Sequence, residues 1–244
     1  MVRYVGGAGL GIATLVLVLP MVSGTPWSAV LAALGSVPAR ALALLVLLWA
    51  AGLLAHTVTL TAALPGLTHR RALLLSLTGS AVANVLPLGG AAGVALNYRM
   101  TRRWGFSPAG FASFTVVSNL WDVLAKLVLP ALLLPLVLSG LSVGPGLGRA
   151  ITAAAIALPL VAALAGLLIG HPRAVARFGV RVERVRAAAA AVVAGAWGRL
   201  SAGMALYTLL LFALLEACLA VTGAGVPWHL VLVAFCAERL ATLV

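Results

Sequence analysis

The stretch from Ala72 to Tyr98 decides how the chain is organised, and it has the sequence ALLLSLTGSAVANVLPLGGAAGVALNY. An apolar run ends at Pro87-Leu88-Gly89-Gly90, and a second, shorter apolar run follows it. A helix that crosses a bilayer needs about 20 apolar residues, so neither run crosses it comfortably. Two short helices joined by a Pro-Gly break therefore predict a re-entrant hairpin over residues 72–98. Such a backbone is tolerated at membrane depth only where protein or water satisfies it.

The composition of the 244-residue chain indicates a membrane protein. Hydrophobic residues make up 64% of it, charged residues only 8%, and the mean hydropathy is +1.19. A soluble domain has about 25% charged residues and a disordered chain is poor in apolar ones, so both classes are excluded. The two cysteines are too few for a disulfide scaffold. We predict an all-α, polytopic transmembrane helix bundle that forms one integral membrane domain over residues 1–244.

The apolar runs outside the hairpin predict further membrane helices, because Ala and Leu dominate them and both favour helix. These predicted helices cover residues 5–22, 41–64, 107–138, 150–169 and 200–221, with a last one from Trp228. Ser107 and Pro108 supply an N-cap and a first turn, and two internal prolines, Pro130 and Pro135, are expected to kink that helix. The last apolar run stops at Val244 without a cap or breaker. This ending predicts that the sequence is a fragment.

The basic residues predict the orientation of the helices. With the N-terminus in the cytoplasm and the hairpin returning to its own side, twelve arginines lie inside: Arg3, Arg70, Arg71, Arg99, Arg102, Arg103, Arg173, Arg177, Arg181, Arg184, Arg186 and Arg199. Only Arg40 and Arg149 lie outside. This split follows the positive-inside rule, so residues 171–199 are predicted to form a cytoplasmic basic connector of a cell-membrane protein. The net charge of +12 then reflects topology, and we expect no nucleic-acid partner.

Polar side chains before the Pro-Gly break form the first candidate site. Ser76, Ser80 and Asn84 recur at every fourth position and share one helical face. The helix then stops at Pro87, Gly89 and Gly90, where unpaired backbone groups can face an aqueous cavity and bind a polar headgroup. The alternative is a tight helix contact, with small residues allowing close approach and Asn84 bonding across helices.

A polar stripe on the next long helix forms the second candidate site. Its members fall on one face and are Thr115, Ser118, Asn119, Asp122 and Lys126. Asp122 and Lys126 are four residues apart and can pair. Charges inside a membrane mark a cavity or pathway, so the stripe is a candidate substrate path. The alternative is a mutually neutralising structural pair.

Three further charged residues lie in apolar helices. Glu216 stands alone, whereas Glu238 and Arg239 are adjacent. Neighbours on a helix do not face each other, so each of these two is expected to find a partner on another helix. All three are assigned either to the substrate path or to helix packing. A protonated, hydrogen-bonded carboxyl is a further possibility for Glu216.

Four arginines of the connector, Arg173, Arg177, Arg181 and Arg184, have the spacing of one basic helical face. Such a face can rest on anionic lipid headgroups, although topology determination alone also explains it. The four histidines are scattered and no Cys/His spacing suits zinc, so we expect no metal and no cofactor.

The order of these elements resembles the flippase-like membrane domain of lysylphosphatidylglycerol synthetases. The resemblance rests on the spacing Ser80-x3-Asn84-x2-Pro87-x-Gly89-Gly90, on Arg99, on Trp104-Gly105-Phe106-Ser107, and on the helix with Asn119 and Asp122. It covers roughly residues 40–244, and Glu238-Arg239 looks like the lead-in to a second Pro-Gly-Gly segment of that family. Where the family often has an acidic residue after Gly-Gly, this chain has Ala91-Ala92. The resemblance implies translocation of a lipid or a lipid-linked substrate.

Three functions remain open at this stage. The first is a lipid flippase, in which the hairpin and the polar stripe form a headgroup path. The second is a non-catalytic partner of a lipid-modifying synthase or glycosyltransferase, with the oligomeric state left open. The third is a membrane-embedded headgroup transferase, which is disfavoured because the hydroxyls have no His or carboxylate at an obvious spacing. We therefore expect a protein that is not an enzyme and whose partners are membrane lipids.

The topology predicts which loops an impermeant thiol reagent reaches from outside the cell. A cysteine placed at position 142 should be labelled, because residues 139–148 are external. A cysteine at position 180 should stay unlabelled until the membrane is permeabilised, because the basic connector is cytoplasmic. The reverse pattern would contradict both the hairpin and the orientation.

Overall fold

A computed structural model of the chain describes residues 16, 20–21, 24–85, 89–140, 143–171 and 178–243, without the side chains of Asn84 and Val85. The described residues form eight helices and no strand, which confirms the all-α prediction. The helices are α1 (Trp27–Ser36), α2 (Ala39–Ala63), α3 (His69–Val85), α4 (Gly89–Arg103), α5 (Pro108–Leu138), α6 (Pro145–Gly170), α7 (Val180–Val221) and α8 (Trp228–Ala241). The helix predicted over residues 5–22 lies almost wholly outside the described residues.

Four of these helices, α2, α5, α6 and α7, are long and apolar enough to cross a membrane. Their outer faces carry large apolar side chains with no protein cover; Leu47, Leu132 and Leu160 are 67%, 69% and 63% exposed. A soluble protein would bury such side chains, whereas lipid solvates them. The chain is therefore a multi-pass membrane protein.

The most extensive helix pair is α2 with α7. The two backbones meet at Gly203, where an added Cβ would lie 2.6 Å from Thr59 Oγ1 and 2.8 Å from its backbone nitrogen. Thr59 is fully buried and donates its hydroxyl proton to the carbonyl of Leu200 at 3.4 Å. Small residues permit this close approach, which is how helices associate in a medium as apolar as their own surfaces.

Helices α3 and α4 pack against each other as an antiparallel hairpin. The guanidinium of Arg71 at the start of α3 lies 5.2 Å from the ring centre of Trp104, just beyond the end of α4. Nearer the turn, an added Cβ on Gly93 would lie 2.9 Å from the carbonyl oxygen of Gly79. Both open ends of the hairpin therefore lie at the same end of the bundle.

The hairpin arms have 17 and 15 residues. At the helical rise these lengths correspond to about 25 Å and about 22 Å, less than the roughly 30 Å of a hydrocarbon core. The two arms begin at His69 and end at Arg103, so both extend beyond the predicted range of 72–98. Helical backbone hydrogen bonding continues there after the apolar run stops. Re-entry of this hairpin into the membrane stays a prediction.

The join between α4 and α5 follows from capping chemistry. Gly105 has φ +91°, and the backbone N–H of Phe106 bonds back to the carbonyl of Thr101 at 3.1 Å. Glycine adopts this left-handed conformation without strain and so ends α4. The hydroxyl of Ser107 then accepts the N–H of Gly110 at 2.9 Å, with Pro108 in the first turn, as the sequence predicted. Helix α5 continues through both Pro130 and Pro135.

Helix α7 corrects the predicted boundary at Arg199. The helix has 42 residues and runs without interruption through Arg199 and Leu200, so residues 180–199 belong to the same helix as the predicted span. The alanine-rich sequence from Ala187 onward has high helix propensity and contains no proline, so nothing stops the helix there. At about 63 Å the helix is roughly twice the thickness of the hydrocarbon core, so a large part of it extends beyond.

The main core lies at the end of the bundle where α2 stops and α3 and α5 begin. Its fully or almost fully buried members come from four helices and include Ala63, Ala72, Val117 and Leu200. A smaller cluster around Leu133, Ile151 and Cys236 joins α5, α6 and α8. The main core fixes the base of the hairpin against the long helices, so the space between them has a defined shape.

Two adjacent glycines at the start of α4 should respond differently to alanine. A Cβ on Gly89 would overlap the carbonyl oxygen of Ala83 and lie 2.6 Å from that of Val82, whereas Gly90 has open space. Gly89→Ala should therefore lower the unfolding free energy by about 1–3 kcal/mol through overpacking. Gly90→Ala, the matched control, should be neutral or stabilising by up to about 1 kcal/mol through helix propensity.

Thermal unfolding of both variants in detergent measures this difference. Equal stability of Gly89→Ala and Gly90→Ala would show that the hairpin turn is not packed as described.

Candidate functional site

A polar pocket of about 270 Å³ lies between the hairpin and helices α2 and α5. Seven polar side chains line it: His56 from α2, Ser76 and Ser80 from α3, Asn97 from α4, and Thr115, Ser118 and Asn119 from α5. Polar side chains within apolar helices are expensive in a bilayer and collect around water-filled cavities or pathways. The pocket thus gathers the polar groups of four helices at one place.

The predicted faces of α3 and α5 meet in this pocket. Ser76 and Ser80 share one face of α3, and the α5 stripe faces them through Thr115, Ser118 and Asn119. Asn119 is exposed, and its amide nitrogen donates to the carbonyl of Thr115 at 2.8 Å. The amide nitrogen of Asn119 is thus engaged within its own helix, whereas the structure records no hydrogen bond for its amide oxygen among the described residues. The polar faces of α3 and α5, which the sequence analysis treated as two candidate sites, therefore form one surface.

His56 closes the side of the pocket formed by α2. Its ring stacks on Tyr207 of α7, with ring centres 4.5 Å apart and an interplanar angle of 19°. Its Nδ1 lies 3.4 Å from the hydroxyl of Ser76 on α3. The imidazole therefore bridges three helices, and a residue that looked like one of four scattered histidines is central to the site.

Asn97 brings an unused acceptor to the pocket. Its side-chain oxygen is buried and has no hydrogen-bond partner among the described residues. Buried polar atoms in native structures are almost always paired with protein or ordered water. Gly79 makes room for this side chain, since an added Cβ there would lie 2.9 Å from Asn97 Nδ2. The site thus places an unpaired amide oxygen in the wall of the pocket, where α4 packs on α3.

Asp122 and Lys126 continue the α5 stripe beyond the pocket, and the predicted pairing is confirmed. Lys126 Nζ lies 2.9 Å from Asp122 Oδ2; the Lys126 side chain is 16% exposed and that of Asp122 is 42% exposed. Lys126 also donates to the carbonyl of Thr242 at 3.3 Å, at the carboxyl end of α8. A cation at this end of a helix is stabilised by the unpaired carbonyls. Lys126 therefore joins α5 to α8, while the carboxylate side chain of Asp122 stays partly exposed.

The expectation that Glu238 and Arg239 find separate partners on other helices was wrong. Arg239 Nε lies 2.5 Å from Glu238 Oε2, and its Nη2 lies 2.7 Å from Oε1. Both side chains are long enough to bend along the outside of α8 and meet, although their Cβ atoms point apart. The Arg239 guanidinium also lies 5.1 Å from the ring centre of Phe235. Asp122 and this pair all interact electrostatically with Tyr207, whose ring stacks on His56.

Of the remaining predicted residues that the structure describes, Gly90 alone lines the pocket. Glu216 does not line it, and its Oε1 is buried without a partner among the described residues. Gly89 is buried at the turn, whereas Gly90 does line the pocket. The Asn84 side chain, Pro87, Arg173 and Arg177 lie outside the described part of the chain. Arg181 and Arg184 are exposed at the start of α7.

Sequence reasoning missed His56, Asn97 and Tyr207. His56 had a usable signal, because it is followed by the hydroxyls of Thr57, Thr59 and Thr61 within one apolar helix. Asn97 and Tyr207 carry no such signal, since each is a single polar group near an otherwise ordinary helical face. Within the described ranges, no three His, Cys, Asp or Glu residues are grouped closely enough to hold a metal ion.

Comparison with known proteins gives the family of the chain. No curated protein and no solved structure matches it significantly. The family model described as the lysylphosphatidylglycerol synthase TM region matches residues 7–244, which is nearly the full length. This match agrees with the multi-pass architecture described above. The chain belongs to the lysylphosphatidylglycerol synthase transmembrane-region family.

Proposed function

We propose that this protein moves the polar headgroup of a phospholipid or lipid-linked substrate between the leaflets of the cell membrane. The observation that carries the proposal is the polar pocket between the hairpin, α2 and α5, which we call the headgroup pocket. It is an open cavity lined by seven polar side chains, and the helices around it have apolar outer surfaces. A headgroup cannot cross the hydrocarbon core unaided, because each unsatisfied polar group there costs several kcal/mol. A polar interior lowers this barrier while the acyl tails stay in the surrounding lipid.

The path of the headgroup follows α5. It enters at the hydroxyl and amide groups of Thr115, Ser118 and Asn119, and continues to the partly exposed carboxylate of Asp122. These groups provide both donors and acceptors within one helical face, so they can replace the water that a headgroup loses. The ion pair with Lys126 compensates the carboxylate charge.

The short hairpin explains how the path opens. The hairpin arms are shorter than the hydrocarbon core is thick. In our proposal the turn of the hairpin therefore lies within the membrane, and water enters from the base of the hairpin. The open position beside Gly90 lies on the pocket wall. The cytoplasmic N-terminus belongs to this proposal, because the basic ends of the hairpin then face the cytoplasm.

The carboxamide of Asn97 tests the headgroup site directly. Replacing it by leucine in Asn97→Leu keeps the approximate size and removes an oxygen that has no partner among the described residues. The exchange rate of labelled phospholipid in vesicles should fall about tenfold, the effect of losing about 1.4 kcal/mol of headgroup stabilisation. Thermal stability should change little, because no described hydrogen bond of that oxygen is lost.

Thr152→Leu is the matched control, because Thr152 lies on the exposed face of α6 and bonds only to its own helix. Its exchange rate should equal that of the unaltered protein. Undiminished exchange by a stable Asn97→Leu protein would argue against the headgroup pocket. Vesicles of the unaltered protein that show no exchange of any labelled lipid would argue against translocation itself.

The ion pair provides a second, independent test. Asp122→Asn leaves the Lys126 ammonium with only the Thr242 carbonyl, and should lower stability by up to about 3 kcal/mol. Adding Lys126→Met removes the unpaired charge, so the double variant should regain most of that loss. Unfolding in detergent gives the stability, and vesicle exchange gives the activity.

A double variant that is stable but does not exchange lipid would place the pair on the path. A double variant with full exchange would show that the charges serve the structure alone, and that the path ends at Asn119.

A further inference from the structure

The described lining of the headgroup pocket carries no permanent charge. Its polar side chains are hydroxyls, carboxamides and the imidazole of His56, and none of them is a carboxylate, an ammonium or a guanidinium. A phospholipid or a lipid-linked phosphate, by contrast, brings at least one negative charge on its phosphate. An ion that enters such a space without a counter-charge loses its hydration and gains little in return. The pocket therefore needs a source of positive charge before a phosphate can occupy it.

The cations next to the pocket do not supply this charge, because each is already paired. Lys126 Nζ lies 2.9 Å from Asp122 Oδ2, and Arg239 makes two hydrogen bonds to the carboxylate of Glu238. Drawing either cation away would leave an uncompensated carboxylate beside the phosphate. Of the described residues that line the pocket, His56 alone has a side chain that becomes positive near neutral pH.

The contacts of His56 suit both charge states of its ring. Its Nδ1 lies 3.4 Å from the hydroxyl of Ser76, and a hydroxyl can donate to a neutral imidazole or accept from a protonated one. The ring of Tyr207 is stacked on the imidazole, and an aromatic face packs against a neutral ring and also attracts a cation. Neither contact has to break when His56 gains a proton.

The groups around His56 come from the three helices that pack against α2, namely α3, α5 and α7. Helix α3 contributes a hydroxyl at this place and not a charge. On α5 the paired carboxylate of Asp122 interacts electrostatically with the imidazole. On α7 the phenol of Tyr207 interacts in turn with the Glu238–Arg239 pair. Because each of these ion pairs is neutral as a whole, a proton on His56 gives the pocket wall one net positive charge.

We propose that His56 is the proton-binding residue of the headgroup pocket, and that a headgroup phosphate occupies the pocket together with a proton on this imidazole. The inference rests on the proposed function and identifies the group that pairs with the phosphate. One proton passes from water to the imidazole when the phosphate enters and returns to water when it leaves, and no covalent bond of the lipid changes. The imidazolium and a phosphodiester anion cancel, so the occupied pocket is as neutral as the empty one.

The pH profile of leaflet exchange tests the proposal in the unaltered protein. The full chain is reconstituted in phosphatidylcholine vesicles with a trace of labelled phosphatidylglycerol or of labelled glucosyl diacylglycerol, which has the same tails but no phosphate. Exchange of phosphatidylglycerol should fall about tenfold between about pH 6 and about pH 8, where an imidazole loses its proton. Exchange of the glycolipid should not depend on pH. A flat profile for phosphatidylglycerol, or equal profiles for both lipids, would overturn the proposal.

Two histidine variants assign the proton to one residue. His56→Gln keeps a polar side chain that does not titrate, so exchange of phosphatidylglycerol should be slow at every pH. His69→Gln is the matched control, because His69 is exposed at the start of α3, lies 2.8 Å from the hydroxyl of Thr57 through its Nδ1, and does not line the pocket. It should keep the full pH profile. A stable His56→Gln protein with an unaltered profile, or loss of the profile in His69→Gln, would overturn the proposal.

Nitrogen NMR of the full chain with isotope-labelled histidine measures protonation without any exchange. In nanodiscs at about pH 7, the protonated fraction of His56 should rise several-fold when phosphatidylglycerol replaces the glycolipid. His69 reports the surface pH, which anionic lipid also changes, and the two glutamine variants assign both signals. A rise no larger than that of His69 would overturn the proposal even in a protein that exchanges lipid. A larger rise in a protein that exchanges no lipid would support the proton site and contradict only the proposed translocation.

Discussion

The close contact of α2 and α7 at Gly203 is the constraint on which the rest of the structure depends. Thr59 has no space to move there, because any side chain on Gly203 would overlap its hydroxyl and its backbone nitrogen. The contact sets the distance between two helices that also hold the others: α3 packs on α2, and α5 packs on α7. His56 and Tyr207 stack because they lie one helical turn or so beyond this contact on the same two helices. Gly203 therefore fixes the position of the α2 wall of the headgroup pocket, although Gly203 does not itself line that pocket.

Most polar groups of the described interior are satisfied locally, and the buried side-chain exceptions there are Asn97 Oδ1, Ser113 Oγ and Glu216 Oε1. Hydroxyls such as Thr101, Thr115 and Thr208 donate to carbonyls one turn earlier in their own helix. This arrangement removes the cost of burying a hydroxyl without linking helices to each other. Asn97 differs, because its buried oxygen has no partner among the described residues, and it lies on the pocket wall. One of these three unpaired atoms thus lies beside the space that we assign to a headgroup.

Helix α5 carries two surfaces of opposite character. Thr115, Ser118 and Asn119 face the headgroup pocket, whereas Leu120, Leu124 and Val128 face an apolar cleft between α5, α6 and α7. A lipid is itself an amphipathic molecule, with a polar head and apolar tails. A helix that separates a polar space from an apolar one matches that division, and the ion pair of Asp122 with Lys126 continues the polar face.

The sequence by itself determined the membrane class, the helical secondary structure, the hairpin arms and the pairing of Asp122 with Lys126, because each follows from composition or from neighbours within one turn of a helix. The Pro-Gly-Gly break and the order of motifs also indicated the family. The sequence did not determine that α7 continues through Arg199, that Glu238 pairs with Arg239, or that Gly166 and Gly170 line the apolar cleft. His56, Asn97 and Tyr207 joined the site only through contacts between helices distant in sequence. Helical periodicity fixes which residues share a face, whereas the partner of that face depends on how closely two backbones approach, and only the tertiary structure decided that.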